Sequence, residues 1–594
     1  MASTMFVWIA LAWMALGPLP GAASPAVAAT PTPTPAAVNV LTFHYDNMRS
    51  GHNPNEAILK PANVTSTTFG KLFSFPVEGY LYADPLYVLG LAIPGRGTFN
   101  VVFVASEHDS VYVFDADGVV SSPLWQTSFI NPAGAGITTV DALHDIGCSN
   151  LVPEIGITGT PVISLENQAL YVVSEVKNQN NDTYMLQLHA LDLATGSEKF
   201  GGPVQISASV KGTGTGSDGT GYVEFVAKLA NQRPALLLAN GMIYVAFASN
   251  CDLGNYHGWV LAYDALTLAQ RAVFNPTRNG SAGGIWQSGK RPRGDELRKD
   301  LYWDRQRPFD GTTDCGDSFV KLDPMLHVVD YFTPSNEYTL DVTDQDAGIT
   351  GVVLLRAQTY EAMGGVKSGR FYLLSRGPMG KFCSICDDSQ APGILDLTTP
   401  IFDVPAYAVG KVYIGAVGAR LRAWQIVNGR LSASAVARSA NSFRYPGTSP
   451  SISSEAGLHP VVWALDVSGN VEDDPAVLHA YRADDLTETT TARRRARATL
   501  PDRASSSPFR PWPAARSMSA RKPNSTFTAS CPPDFLFGRA RLRRSSQRRG
   551  SEPVFDWHAG TWDRGYGRGI SIVRVRPGPQ NATANGFAKE VRSS

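Results

Sequence analysis

The sequence is poor in charge and lacks the common catalytic and nucleotide-binding motifs. Charged residues make up only 18% of the 594 residues, against 43% hydrophobic residues. This balance argues against a coiled coil and against wholesale disorder. No P-loop, GxSxG elbow, HExxH or EF-hand loop occurs. Beyond residues 5–17, no segment is long and apolar enough to cross a membrane.

Turn-forming and strand-forming residues are abundant instead. The chain contains 55 Gly, 40 Pro and 21 Tyr, a composition typical of a β-rich protein with many turns. A length of 594 residues suits either several small domains or one large repetitive domain. The composition favours the repetitive domain and disfavours a helical bundle.

The net charge of zero conceals two unlike regions. Residues 488–594 contain 21 basic and seven acidic residues, so residues 1–487 carry a net charge of −14. The chain as a whole has no basic field, and we expect no nucleic-acid partner.

The N-terminus predicts export. Residues 5–17 have the length of a signal-peptide core, and Ala26-Val27-Ala28 offers a cleavage site. The segment before this core has no Lys or Arg, which leaves a membrane anchor as the alternative. We therefore expect a signal peptide over 1–29, a Pro/Thr linker over 30–40 and a secreted or periplasmic location, without a membrane span after cleavage.

One unit recurs through the body of the chain, residues 41–487. Each copy has a Pro-containing lead, a short apolar strand, a polar turn, and a second strand that ends in Asp before Gly or Thr-Gly. Alternating Val, Tyr and Phe with Gly, Asn and Asp turns is typical of β-hairpins. Four such strands form a propeller blade, and blades bury their faces against neighbours in a ring. A β-sandwich pair or a solenoid is the alternative.

This repeat, Pro…GxVYxG…(L/V)xAxD…TG, resembles the PQQ-like repeat of quinoprotein-alcohol-dehydrogenase-like propellers. The order of LTFHYDNMRSGHNPNE (41–56), PEIGITGTPVI (153–163) and GGIWQSG (283–289) is similar to that in secreted bacterial PQQ-repeat proteins. The resemblance implies an all-β, eight-bladed β-propeller. Seven repeats are recognisable, beginning near residues 83, 160, 234, 284, 348, 404 and 447.

Two segments break the repeat. Residues 290–310 hold 12 charged residues in 21 positions, where a blade strand is expected, and residues 488–594 are rich in Arg with no strand period. A disordered basic tail that binds nucleic acid or an anionic surface is one interpretation. We favour a frame disruption, because shifting the reading frame of plausible codons restores repeat-like strands. The eighth blade is then lost, and residues 70–79 are expected to supply an outer strand that closes the ring.

The six cysteines suggest one bridge between blades. Cys148 and Cys251 occupy equivalent regions of consecutive repeats, so a disulfide between them is the preferred pairing. Cys383 and Cys386 have CxxC spacing but no second ligand pair for zinc, which favours a loop disulfide or free thiols.

Polar residues that could line a channel lie in three consecutive repeats. The resemblance implies PQQ and Ca²⁺ as candidate cofactors, with an Asp as the base and oxygen ligands for the metal. Enzymes of this class often have an adjacent Cys-Cys pair, which is missing here, as is a CxxCH haem motif. The candidates are Asp145 or Asp252 as the base, Glu154 as a metal ligand, and Trp286, His144 and His257 as cofactor-binding residues.

The alternative role for these polar residues, and for Glu107-His108-Asp109, is hydrogen bonding between blades and at turns. The alternative role of Trp286 is packing in the hydrophobic core between two blades. Aspartates that end the second strand of a repeat, such as Asp115, Asp192 and Asp264, are expected to form turns.

We therefore expect an exported, non-catalytic binding or scaffolding propeller that takes a protein, glycan or small-molecule ligand at one face. The alternative function is a PQQ- and Ca²⁺-dependent dehydrogenase of alcohols or sugars. A third interpretation is a degenerate gene product without a folded function.

Overall fold

The computed structural model describes residues 38–287, 309–310, 314–355, 361–467, 476–493 and 570–575. The predicted signal peptide, most of the charged segment 290–310 and most of the basic tail, where the sequence predicts frame disruption, lie outside these ranges. Within them the protein is an all-β propeller of seven blades, which confirms the predicted fold class. No helix in the described ranges has the length and apolar character to cross a bilayer.

The first three blades follow an N-terminal segment with two strands, β1 (His52–Asn53) and β2 (Phe69–Phe75). Blade 1 contains β3 (Leu86–Ile93), β4 (Gly97–Ser106), β5 (Ser110–Asp115) and β6 (Trp125–Ser128). An insertion then adds β7 (Ile137–Asp141), a π-helical turn (Ala142–Ile146) and β8 (Glu154–Ile155). Blade 2 contains β9 (Val162–Ser164), β10 (Ala169–Asn178), β11 (Thr183–Asp192) and β12 (Val204–Gln205).

A second insertion precedes blade 3. It consists of β13 (Ser209–Lys211), β14 (Tyr222–Glu224), a 3₁₀ turn (Ala227–Leu229) and β15 (Ala230–Asn231). Blade 3 contains β16 (Leu237–Ala239), β17 (Met242–Ser249), β18 (Trp259–Asp264) and β19 (Gln270–Phe274). The described strands of blade 4 are β20 (Phe319–Leu322) and β21 (Val328–Thr333), followed by helix α1 (Glu337–Val342).

The last three blades are regular. Blade 5 contains β22 (Val353–Leu354), β23 (Glu361–Gly365), β24 (Arg370–Ser375) and β26 (Gly393–Asp396), while β25 (Lys381–Phe382) pairs with β21 of blade 4. Blade 6 contains β27 (Ala406–Ala408), β28 (Lys411–Ile414), β29 (Ala419–Val427), β30 (Arg430–Leu431) and β31 (Ala437–Phe443). Blade 7 contains β32 (Ser451–Glu455), β33 (Leu458–Asp466), β34 (Val477–Arg482) and β35 (Glu488–Arg493), and so continues past the predicted boundary at 487. The last described strand is β36 (Ile570–Val575).

Burial along the strands follows from stacking of the blades. The central strand β5 is buried at every residue, because each face of its sheet packs against another element. The outer strand β6 has no fully buried residue. At the strand ends, Asp115, Asp192 and Asp264 accept backbone N–H bonds from residues two to five positions later, which confirms their predicted role in turns.

The ring closes through the segment that contains β2. Hydrophobic clusters join each blade to the next, from blade 1 to blade 7. Val64 and Phe69 then pack on blade 7, while Phe75 and Val77 pack on blade 1. Among the described strands, β2 pairs with β36 alone in a two-stranded sheet. An incomplete blade therefore occupies the eighth position in the described part of the chain, where the sequence predicts an outer strand from residues 70–79.

A second connection runs through the middle of the ring. Residues 40–53, called here the central segment, contact the first strands of six blades. Because the first strands of six separate sheets approach one another only around the propeller axis, the segment lies in the central channel. The contacts are Val40 with Tyr87, Leu41 with Ile163, Asn47 with Leu238, Met48 with Leu354, Ser50 with Tyr407, and Gly51 with Ile452, at 2.7–3.1 Å.

We expect the incomplete eighth position to be needed for stability. The Phe75 ring stacks on Phe114 of blade 1 with their centroids 4.5 Å apart. Phe75→Ala should lower the free energy of unfolding by about 3–5 kcal/mol, as buried aromatic truncations do. Leu72→Ala, an exposed position on the same strand, should cost less than 1 kcal/mol, roughly. Equal denaturation midpoints for the two variants would argue against closure through β2.

Candidate functional site

The polar residues singled out in the sequence lie at one end of the propeller. Successive strands of each blade are antiparallel. The turn between the second and third strands therefore lies at the same end of the propeller as the connection to the next blade. We call this end the loop face. It carries the β4–β5 turn, the β7–β8 insertion, the β13–β14 insertion and the β17–β18 loop.

The β4–β5 turn joins blade 1 to blade 2. Glu107 Oε2 accepts hydrogen bonds from the Gly156 N–H at 2.7 Å and from the Thr158 hydroxyl at 3.1 Å. A Cβ on Gly156 would lie 2.3 Å from the Glu107 carbonyl oxygen, so only glycine allows this approach. Asp109 Oδ1 accepts the Glu175 N–H at 3.2 Å. Both carboxylates therefore accept hydrogen bonds that connect blade 1 to blade 2, and we call such a connection a tie.

The same tie occurs on the other side of the ring. Asp317 in the turn before β20 has a φ of +44°, and Asp109 has +43°. Asp317 Oδ1 accepts the Ala347 N–H at 2.9 Å as the chain approaches blade 5. Each Asp precedes a Ser whose hydroxyl donates to the carbonyl two residues back. The Asp-Ser pair that recurs in HDSVYVFD and GDSFVKLD is a sequence signal for this tie, and the repeat pattern alone did not single it out.

Burial shifts the protonation of these carboxyls. Burial raises the pKa of Glu107 to about 7, against opposing hydrogen bonds from Gly156 and Thr158 and the positive charge of Arg233. Burial also raises the pKa of Asp109 and of Glu175, and the charge of Glu107 adds to both shifts. Glu175 was not among the residues predicted from the sequence, although a lone acidic residue inside the apolar strand ALYVVSEVKN indicates a buried carboxyl.

Glu154, the predicted metal ligand, lies beside His108. The His108 Nδ1 atom is 3.0 Å from Glu154 Oε2 and 3.2 Å from Oε1. The Thr139 hydroxyl donates to Glu154 Oε2 at 3.0 Å. Both carboxylate oxygens therefore already face hydrogen-bonding partners from the protein.

Asp145, the first predicted base, forms an ion pair with Lys177 of blade 2. Its second oxygen accepts the Asp141 N–H at 2.9 Å. Lys177 also contacts Asp182 at 2.8 Å, and the two carboxylates raise the lysine pKa. The exposed His144 ring bonds to Asp141 at 2.9 Å. This cluster fixes the π-helical turn to β10.

The structure pairs Cys148 with Cys251, the disulfide preferred from the sequence. The bridge connects the β7–β8 insertion to the β17–β18 loop of blade 3. Asp252, the second predicted base, follows directly in an exposed turn, and its Oδ1 accepts the Ser249 hydroxyl at 2.7 Å. A second disulfide joins Cys383 and Cys386, in keeping with the loop-disulfide alternative.

His257 and Trp286 lie farther around the same face. The buried His257 ring bonds to the Thr277 hydroxyl at 3.0 Å and to the Thr215 carbonyl at 2.8 Å. Burial lowers its pKa. Trp286 packs over Gly284, where an added Cβ would lie 3.1 Å from Trp286 Nε1 and 3.3 Å from the Tyr256 ring. These contacts are of the kind expected for packing between blades.

These residues do not form a common quinone and Ca²⁺ site. Glu154, Asp145, Asp252 and His257 belong to four separate hydrogen-bonded groups. A carboxylate that faces an imidazole or an ammonium group is a poor ligand for a hard cation. In the described ranges, no three His, Cys, Asp or Glu side chains are grouped so that they could hold a metal ion. The described side chains at this face therefore do not fit the Ca²⁺ that the resemblance implied.

A Ser–His–Glu arrangement inside blade 2 also lacks access to solvent. His189 contacts the Ser174 hydroxyl at 2.9 Å and Glu198 at 2.5 Å, as in the relay of a hydrolase. Both Ser174 and His189 are buried. Blade 7 repeats the histidine–glutamate pair with His479 and Glu488 at 2.5 Å. In both blades the histidine lies in the third strand and the glutamate nine residues later, so the pair is a structural element of the repeat.

Comparisons with solved structures find the same fold. The chain superposes on a quinohemoprotein alcohol dehydrogenase from Pseudomonas putida HK5 with a TM-score of 0.50 and 14% identity, over 77% of this chain and 72% of that chain. A europium-containing methanol dehydrogenase gives 0.46 and 11%, over 77% and 85%. BamB from Moraxella catarrhalis gives 0.42 and 12%, over 72% and 92%.

A TM-score of 0.50 at 14% identity shows a likeness of fold alone. No protein-family profile matches the sequence, and no curated protein sequence matches it significantly.

We predict that the buried carboxyl of Glu107 makes stability depend on pH. The unfolded chain releases this proton near pH 4.5, whereas the folded protein retains it up to about pH 7. The contribution of Glu107 to the free energy of unfolding is therefore largest below pH 4.5 and falls as the pH rises to about 7. Asp109 and Glu175 act in the same direction.

The variant Glu107→Gln removes this group. It should be more stable than the wild type at pH 8 by up to about 3 kcal/mol, with a smaller gain at pH 4. Denaturation midpoints from pH 4 to 8 measure the effect. The exposed Glu224→Gln variant is the control and should follow the wild type. A wild-type stability that rises between pH 5 and 7 in parallel with that of Glu107→Gln would contradict the assignment.

Proposed function

We propose that the protein is an exported, non-catalytic binding or scaffolding propeller. The proposal rests on one observation. The carboxylates predicted to be catalytic or metal-binding already form ion pairs or hydrogen bonds with other side chains of the protein. Asp145 pairs with Lys177, and Glu154 faces His108 and Thr139. Side chains that serve as ties between blades are poorly placed to bind a cofactor or to accept a substrate proton. Export is supported by the two disulfides, which persist in oxidising compartments.

The loop face over blades 1 to 3 is the proposed binding surface. Residues 137–155, 207–231 and 249–258, called here the crown, form insertions and loops that are joined to one another. The disulfide Cys148–Cys251 connects the first segment to the third. Asn250 of the third segment connects it to the second, because it donates hydrogen bonds to residues 228–230 and accepts one from Asn231. Loops fixed on a rigid scaffold are where binding residues concentrate.

The crown exposes apolar side chains that its own packing does not cover. Their exposed fractions are Leu143 54%, Val226 46%, Tyr222 45% and Leu253 39%. Exposed apolar residues on loops that a rigid scaffold holds are candidates for contact with a ligand. The proposed ligand is a protein, a glycan or a small molecule.

Calorimetric titration with PQQ, with and without Ca²⁺, separates the proposal from the dehydrogenase alternative. Circular dichroism first establishes that the exported chain is folded. We expect no heat beyond dilution in either titration, because Glu154 and Asp145 are engaged by other side chains. Binding near one to one that requires Ca²⁺, and that Glu154→Gln abolishes, would instead support the dehydrogenase.

Variants of the crown test the binding surface. Tyr222→Asp and Leu253→Asp should reduce, by about tenfold or more, the amount of ligand that the immobilised protein retains from the exported proteins and glycans of its source. Val409→Asp, at an exposed position in a turn at the opposite end of the ring, is the matched control and should retain the wild-type amount. Equal retention by all three variants would exclude the crown as the surface.

A further inference from the structure

The central segment, residues 40–53, enters and leaves the channel at the same end. Val40 pairs antiparallel with Tyr87 in β3, and His52–Asn53 pair parallel with β32. The first strands of all blades run in one direction, from the loop face to the opposite end. The segment therefore inserts from the end opposite the loop face, turns within the channel and returns to that end.

The turn inside the channel is tightly wound, and its residues are buried or half-buried. His44, Tyr45 and Arg49 have positive φ values of 55°, 69° and 53°. Gly51 also has a positive φ, and a Cβ there would lie 2.9 Å from the His44 ring and 3.0 Å from Ala406 Cβ. Backbone in this region persists only when surrounding contacts hold it. The conformation is therefore specific to a segment enclosed by the first strands.

Arg49 stabilises this turn through hydrogen bonds from its buried guanidinium group. Its side chain is 1% exposed, and its Nη1 atom donates to the Phe43 carbonyl at 2.6 Å, the Asp46 carbonyl at 2.7 Å and the Thr42 hydroxyl at 3.2 Å. The Asp46 carboxylate in turn accepts from the N–H and hydroxyl of Ser50, at 3.1 and 2.8 Å. One guanidinium group thus joins both arms of the segment.

The apolar side chains of the segment extend the cores between blades. Val40 and Leu41 pack on the cluster between blades 1 and 2. Phe43 belongs to the cluster between blades 5 and 6, and Met48 packs on the cluster between blades 4 and 5. The segment therefore bonds to or packs against every blade of the ring.

We propose that residues 40–53 are an intrachain plug, held in shape by Arg49, that closes the channel at the end opposite the loop face and stabilises a ring whose eighth blade has two described strands. A closed propeller normally gains its stability from blade-to-blade contacts around the full circle. Here two strands complete the circle in the described part of the chain, and the plug adds bonds from the axis to blades on opposite sides.

Cleavage behind the plug tests this proposal on the whole protein. A protease recognition sequence is inserted between Ala57 and Ile58, where the Ile58 side chain is 49% exposed. After cleavage of the folded protein, the fragment that ends at Ala57 should co-elute with the propeller in gel filtration. When mild denaturant releases this fragment, the melting temperature of the remaining propeller should fall. A synthetic peptide of residues 38–57 should restore that temperature.

The variant Arg49→Met tests the role of the guanidinium. It removes the side-chain donor to the buried Phe43 carbonyl and one of the two N–H donors to the Asp46 carbonyl, so release of the cleaved fragment should be about tenfold faster or more. Arg420→Met, at an exposed position, is the matched control and should release the fragment at the wild-type rate. If Arg49→Met fails to fold, the cleaved wild-type protein still decides the outcome. Loss of the fragment from the native propeller without a change in melting temperature would overturn the proposal.

Discussion

The structure depends on closing a ring of sheets whose faces are apolar on both sides. Each blade buries one face against the preceding blade and the other against the next, as the successive hydrophobic clusters show. A blade at an open end would leave such a face in water. The position between blade 7 and blade 1 is therefore the critical one, and residues 64–77 fill it with Phe69 on one side and Phe75 on the other.

The same requirement explains the buried acidic groups on the loop face. Blades that pack tightly leave backbone N–H groups between them without partners in either sheet, and a buried donor needs an acceptor. Glu107, Asp109 and Asp317 supply that acceptor from the turn before a third strand or its equivalent. The cost is the desolvation of a carboxyl group, which appears as a raised pKa. Residues that resemble catalytic groups in the sequence therefore serve the assembly of the ring.

In this proposal, structural hydrogen bonds and the central segment occupy the interior of the ring. Ligand binding is therefore assigned to the loops on its surface. The crown has the properties that this task requires, since its insertions are joined by Cys148–Cys251 and by Asn250. It lies over blades 1 to 3, each of which has four described strands. The opposite end carries the short turns and the entry of the central segment. The two ends of the propeller thus have different roles in the proposal.

Local pattern in the sequence determined the fold class, because strand alternation and turn chemistry depend on neighbouring residues only. The repeat spacing predicted the blades, Asp115, Asp192 and Asp264 predicted turns, and equivalent positions in two repeats predicted the pairing of Cys148 with Cys251. Only the tertiary structure decided what Asp145, Glu154 and Glu107 contact, since their partners come from other blades. It alone placed residues 40–53 in the channel, because a short segment of mixed polarity has no periodicity and its conformation is set by six strands distant in sequence.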